Sequence, residues 1–197
     1  MDFDLFDAVV KIMTEKGPDQ AALFVERKMR ALESDLFKGS IDNRFTNDPA
    51  DIGRVIGRFV QKSREALGGE LRAVYLEMNG FDINPDLWFF DLFGYTRYGD
   101  DPKDLEWLSD WDTESDPNES VTLTGLEAVQ KDFERYGKLS GYEKTAAVTA
   151  CDHALMLVML RFVQLIDKAV KSMEPPCTVP ALATAHDFEA VHRILPR

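Results

Sequence analysis

The sequence predicts a helix-rich α+β protein, a single domain over residues 1–197 with a small antiparallel sheet of about three strands packed on a long central helix. Three observations carry that expectation. Apolar residues recur at intervals of three and four through the first seventy residues. Two runs rich in aromatic and aliphatic side chains, Leu71–Met78 and Leu87–Tyr95, flank the turn-forming stretch Asp82-Ile83-Asn84-Pro85-Asp86. The longest helical candidate, Lys144–Met173, is apolar on nearly every face between Ala146 and Leu160, as befits the central helix of a core.

Phe3, Phe6, Val10 and Met13 define a first helix that Gly17-Pro18 ends. Pro18 suits the first turn of the second, whose apolar positions run Ala22, Val25, Met29, Leu32 and Leu36. Gly39–Asn47 reads as a polar loop. Asp48-Pro49-Ala50-Asp51 then supplies an N-cap, a proline at the first helical position and a carboxylate near the helix's positive end. Ile52, Val55, Ile56, Phe59, Val60 and Leu67 form the buried stripe of that third helix, and Gly68-Gly69 ends it.

Beyond the two strands, Asp101-Pro102-Lys103-Asp104 starts a short helix through Trp107 and Leu108. Ser109–Ser120 is a polar, acidic loop and Val121-Thr122-Leu123 a third strand. Thr124-Gly125-Leu126-Glu127 has the spacing of a capping box, ahead of a helix carrying Leu126, Val129, Phe133 and Tyr136. Pro175-Pro176 ends the long helix. The tail is extended over Val179–Phe188, and Phe188, Val191 and Ile194 fit a last helical turn. The chain thus falls into N-terminal helices (1–70), strands with an acidic loop (71–124), and C-terminal helices with a tail (125–197).

Composition narrows the function classes. An apolar fraction of 45% fills a sizeable core, and a charged fraction of 29% keeps the surface wet. The pI near 4.7 argues against direct nucleic-acid binding and against anionic membranes, both of which need clustered Lys and Arg. Cys151 and Cys177 are too few for a disulfide framework and lack CxxC spacing. Met1-Asp2-Phe3-Asp4 does not open a secretory signal, and Ala146–Ile166 is interrupted by Asp152, His153 and Arg161. A cytoplasmic protein is expected.

Charge is concentrated. Residues 76–119 hold thirteen carboxylates against Arg97 and Lys103, a local charge of −11 in a chain of −12. All three tryptophans, Trp88, Trp107 and Trp111, lie there too. Within it Asp110, Asp112, Glu114, Asp116 and Asn118 match alternate positions of an EF-hand calcium loop. Ser115 stands where the loop needs glycine, and Val121 where it needs a bidentate Glu. The stretch reads as a solvated acidic loop, and no metal or cofactor is expected.

Other chemistry is sparse. In a strand, Asp91 shares a face with Phe89, Phe93 and Tyr95, where burial would raise its pKa, though a structural hydrogen bond is the simpler role. His186-Asp187 resembles the central pair of HD-type metal-dependent phosphohydrolases, with His153 upstream, but no aspartate follows Asp187. Cys151, His153, His186 and Asp187 would make a zinc site only if the tail folded over the central helix. No GxSxG, GxxxxGK[ST] or HExxH motif is present. No catalytic residue is assigned.

The expectation is a non-catalytic protein-binding module. Asp110, Asp112, Glu114 and Asp116 form an acidic rim around two aromatic anchors, Trp107 and Trp111, four residues apart on one face. Its partner would be basic, as for an inhibitor, an immunity-like protein or a DNA mimic. A strand edge or the tryptophan face also offers a homodimer contact. The alternative is a metal-assisted hydrolase using carboxylates with His153 or His186.

Overall fold

The computed structural model describes residues 2–79, 86–99, 101, 104–186 and 188–196. They form two compact units, each drawn from three separate stretches of chain. Met1–Thr46, Gly80–Trp88 and Leu123–Gln164 make a helical unit; Asn47–Asn79, Phe89–Thr122 and Leu165–Arg197 make a unit built on a sheet.

In the helical unit, α1 (Phe3–Lys16) starts on Asp2, whose side chain accepts from the Leu5 N–H, and stops at Gly17. Gly17 has φ 85°, a conformation glycine adopts freely, and Pro18 opens α2 (Pro18–Arg30) at once. The second helix ends at Arg30, short of Leu36, and the expected loop contains a four-residue helix, α3 (Gly39–Asp42). Between them Phe37 sits at φ 66°, unusual for a bulky residue. Its N–H donates to Asp132 Oδ2 at 2.9 Å and its buried ring lies 4.7 Å from Phe133, which together hold that backbone in place. Asp132 and Phe133 belong to α5 (Glu127–Lys138). The capping box does not form: Leu126 occupies the N-cap position, and Glu127 Oε1 accepts from the Gly125 N–H.

The long helix α6 (Gly141–Ser172) contributes Gly141–Gln164 to this unit and its last turns to the other. From Ala154 to Ile166 every residue except Leu155 and Gln164 is buried, so the helix is a core helix there, but the expected window of Ala146–Leu160 starts too early: Ala146, Val148 and Thr149 are exposed. It is long and apolar enough to cross a membrane by composition, yet 72% of its most apolar window is buried inside the protein. One charge enters this core. Arg161 donates to Glu26 Oε1 (2.5 Å), Gln164 Oε1 (2.9 Å) and the Ile41 carbonyl (3.3 Å).

The second unit begins with α4 (Pro49–Ala66), capped by Asp48 Oδ1 accepting from the Ala50 N–H, with Pro49 at its first position. The α+β class holds, but the sheet has six strands where three were expected. They are β1 (Ala73–Asn79), β2 (Phe89–Tyr95), β3 (Thr113–Glu114), β4 (Val121–Thr122), β5 (Ala181–Ala185) and β6 (His192–Ile194). The order is β3-β2-β1-β5-β6, with β4 also pairing β2. Nor is it wholly antiparallel, because β1 and β5 run parallel, Val74 opposite Ala181 through Met78 opposite Ala185. The expected helical turn at the end of the tail is the edge strand β6. The turn expected at Asp82–Asp86 lies mostly outside the described residues.

Alternation divides the sheet. Val74, Leu76, Met78, Phe90 and Leu92 point to one fully buried face. Helix α4 packs on β2, and Thr113 Oγ1 donates to Ser63 Oγ at 2.9 Å beneath Gly94. The other face carries Tyr75, Glu77, Asn79, Asp91, Phe93 and Tyr95.

Candidate functional site

Cross-strand register builds the site. Ala73 lies opposite Tyr95, Tyr75 opposite Phe93, Glu77 opposite Asp91 and Asn79 opposite Phe89, so all eight side chains share one face. One end is closed. Ala73, Tyr75, Tyr95, Leu182 and Trp107 are buried together, the Trp107 ring edge-on to Tyr95 with centroids 4.9 Å apart. Trp107 lies on a 3-10 turn (Glu106–Ser109) and its Nε1 donates to the Asp104 carbonyl at 3.1 Å. The Tyr95 hydroxyl donates to the Leu108 carbonyl at 2.8 Å. Gly99 allows this closure, since a Cβ there would come within 2.5 Å of Trp107 Nε1.

The face opens along its aromatic row. Tyr75 stacks on Phe93 at 5.9 Å, Phe93 meets Trp111 at 5.1 Å, and Trp111 is 46% exposed. Burial pushes the Tyr75 phenol far above its ordinary value, and the charge and hydrogen bond of Glu77 push it further. Tyr95 is raised too, by burial first and then by Glu77.

Next to the aromatics, Glu77 and Asp91 face each other across β1 and β2, a repulsive pairing unless each is neutralised by donors. Glu77 Oε1 accepts from the Tyr75 hydroxyl at 3.2 Å and lies 3.1 Å from His186 Nδ1. Asp91 accepts from Asn79 Nδ2 at 2.6 Å and from Ser120 Oγ at 2.8 Å. Asp91 thus lies on the expected face with the simpler role, held by hydrogen bonds, and His186 is brought within one residue of it. Sequence reasoning missed Glu77. Its signal was a lone carboxylate inside the apolar run of β1.

The acidic segment is exposed and internally fixed. Asp110 Oδ2 accepts from Arg97 at 2.5 Å. Asp112 Oδ2 accepts from the Thr96 N–H at 2.7 Å and the Thr96 hydroxyl at 2.9 Å, tying the segment to the end of β2. Asp116 caps the 3-10 turn Pro117–Glu119, and bonds from the Asn118 backbone and side-chain amides hold its carboxyl below the usual range. Glu114, on β3, lies opposite Phe93 and is exposed. Trp107 and Trp111 do not share a face: the helix ends at Ser109, one ring turns into the core and the other stays at the surface.

Among the described residues, no three His, Cys, Asp or Glu side chains come together as metal ligands. His153 is buried on α6 with its Nδ1 2.8 Å from the Thr149 carbonyl, in the helical unit with Cys151, whereas His186 belongs to the sheet unit. Asp187, the second half of the HD-type pair, lies outside the described residues. Cys177 is buried, donates to the Val179 carbonyl, and burial pushes its thiol up, the opposite of an activated nucleophile.

No protein-family model matches this sequence, and no curated protein or solved structure matches it either. Fold and site together define an α+β protein with a half-open, acidic and aromatic sheet face.

Proposed function

We propose that this protein is a non-catalytic binding module whose acidic, aromatic face receives a basic protein partner. The observation that carries the reading is Trp111: a half-exposed ring seated on Phe93, with Asp110, Asp112, Glu114 and Asp116 in the same stretch of chain. An aromatic anchor supported from beneath is already ordered, which lowers the entropy lost on binding. The surrounding carboxylates steer a cationic surface and hold it in register. Trp107 serves from below by fixing the platform. Inhibition of a basic enzyme, immunity to a basic toxin, or DNA mimicry all use this electrostatics, and a cytoplasmic setting suits each.

The test begins with capture of partners at low salt and their release at high salt, followed by association kinetics with the partner so identified. Glu114→Lys should slow association by about tenfold or more at low salt, with little change at high salt. Trp111→Ala should act on dissociation and cost about 2 kcal/mol or more. Unchanged kinetics in both variants would remove the face from the reading.

A second reading, a metal-assisted hydrolase, draws on the contact of His186 with Glu77 and on Asp91 opposite Glu77, which among the described residues do not form a ready ligand set. It requires that Mg²⁺, Ca²⁺ or Zn²⁺ raise the melting temperature of metal-stripped protein. The binding-module reading expects no shift with any of the three.

A further inference from the structure

In the sheet unit, α4 and the segment Met173–Thr178 enclose an open groove of about 790 Å³, within the range of sites that hold small ligands. Its floor is bare helix. Gly53 and Gly57 stand one turn apart on α4, and they are glycine for different reasons. A Cβ on Gly53 would come within 3.3 Å of the Ala169 carbonyl and 3.2 Å of Met173 Cγ, so Gly53 is needed for close approach of α4 and α6. A Cβ on Gly57 would meet only Met173 Cε, at an ordinary 3.6 Å. Packing tolerates alanine there, and a helix interior prefers it. Gly57 therefore keeps the groove open at a cost in stability that the fold does not require.

The walls differ in charge. On the α4 side, Arg54 pairs with Asp51, Arg64 donates to Thr178 Oγ1 at 2.5 Å, and Gln61 donates to Glu65 Oε1 at 3.0 Å. Arg58, one turn beyond Arg54, is exposed and has no hydrogen-bond or ion-pair partner among the described residues. The opposite wall offers Met173, Pro175 and Pro176, with Glu174 as its charge. We propose that this groove binds a small amphipathic anion, its apolar body lying over Gly57 between Val60 and Met173 and its carboxylate held by Arg58. The unmatched cation sets the charge of the ligand, the apolar wall sets its body, and Glu174 directs the anionic end toward α4.

Decanoate, kept below its micellar concentration, is the probe, titrated calorimetrically into the full chain beside decanol and decyltrimethylammonium. Saturable binding of decanoate is expected, with the neutral and cationic analogues at least about tenfold weaker. Gly57→Leu, which fills the groove, and Arg58→Glu, which reverses its charge, should each weaken decanoate by about tenfold or more. If Gly57→Leu does not melt cooperatively, Arg58→Glu, an exposed position, decides alone. Absence of saturable binding, equal binding of all three amphiphiles, or wild-type affinity in a folded Arg58→Glu protein would overturn the proposal.

Discussion

At the scale of single residues, Arg161 and Glu26 carry the largest electrostatic stake. The Arg161 side chain is 2% exposed and Glu26 14%, so both charges have left most of their water. Burial pulls the guanidinium below its ordinary value, and the Glu26 hydrogen bond and charge oppose that pull. Arg161 Nε has no hydrogen-bond partner among the described residues, so Glu26 is the main counterweight to a buried cation. Glu26→Ala should therefore destabilise the protein by about 3 kcal/mol, because it strands the cation. Glu26→Leu combined with Arg161→Met should restore most of that loss by removing both charges. Urea denaturation measures both, and a loss below about 1 kcal/mol for Glu26→Ala would show that water reaches Arg161. The residue scale is also where the sequence was least legible. Asp91's face followed from period-two alternation, but its bonds to Asn79 and Ser120, and the facing Glu77, depend on strand pairing and on a loop brought back from afar.

Elements with signals at their own ends were legible in advance. Gly17-Pro18 and Asp48-Pro49 punctuate the chain through φ restriction and local hydrogen bonds, and α1, α2 and α4 begin or end there. The sheet beyond β1 was legible only in part: the tail reads as extended over Val179–Phe188, which contains β5. Ala181–Ala185 is small and buried on both faces, so it shows no alternation, and only pairing fixes its place beside β1. The three residues of β6 are anchored partly by side chains. His192 Nε2 lies 3.1 Å from Asp167 Oδ1 near the end of α6, and Lys171 donates to the other oxygen. Burial works to raise the Asp167 carboxyl, but the hydrogen bonds and charges of His192 and Lys171 outweigh it and hold the group below its ordinary 3.8. A carboxylate depressed in the folded state stabilises above its unfolded pKa and loses that contribution as pH falls through the folded one. Stability should thus fall on acidification below about pH 4, and Asp167→Asn should flatten that part of the profile while lowering stability at neutral pH. Melting curves across the acid range check this. A mutant profile parallel to wild type would show that other carboxylates govern the acid limb.

At the scale of the whole molecule, chain order and spatial order disagree. Each compact unit takes three stretches separated in sequence, and α6 supplies residues to both. The sheet shows the consequence most plainly. β1 is flanked by β2, next to it in the chain, and by β5, where Val74 meets Ala181. Until the last residues are in place, β1 presents an open edge along Ala73–Asn79, a run mostly buried in the finished protein. An unpaired, apolar strand edge is a template for pairing with another chain. Such long-range closure also comes late, because loop entropy is lost before the pairing rewards it. A chain truncated after Ser172 lacks β5 and β6 and should form aggregates or strand-exchanged oligomers. In the full-length chain, Ala183→Asp should do the same, since Ala183 is fully buried opposite Leu76. Size exclusion with light scattering reads both. A monomeric truncated chain with a cooperative melt would mean that β1 and β2, with α4, already make a self-sufficient sheet and that the parallel strand merely decorates it.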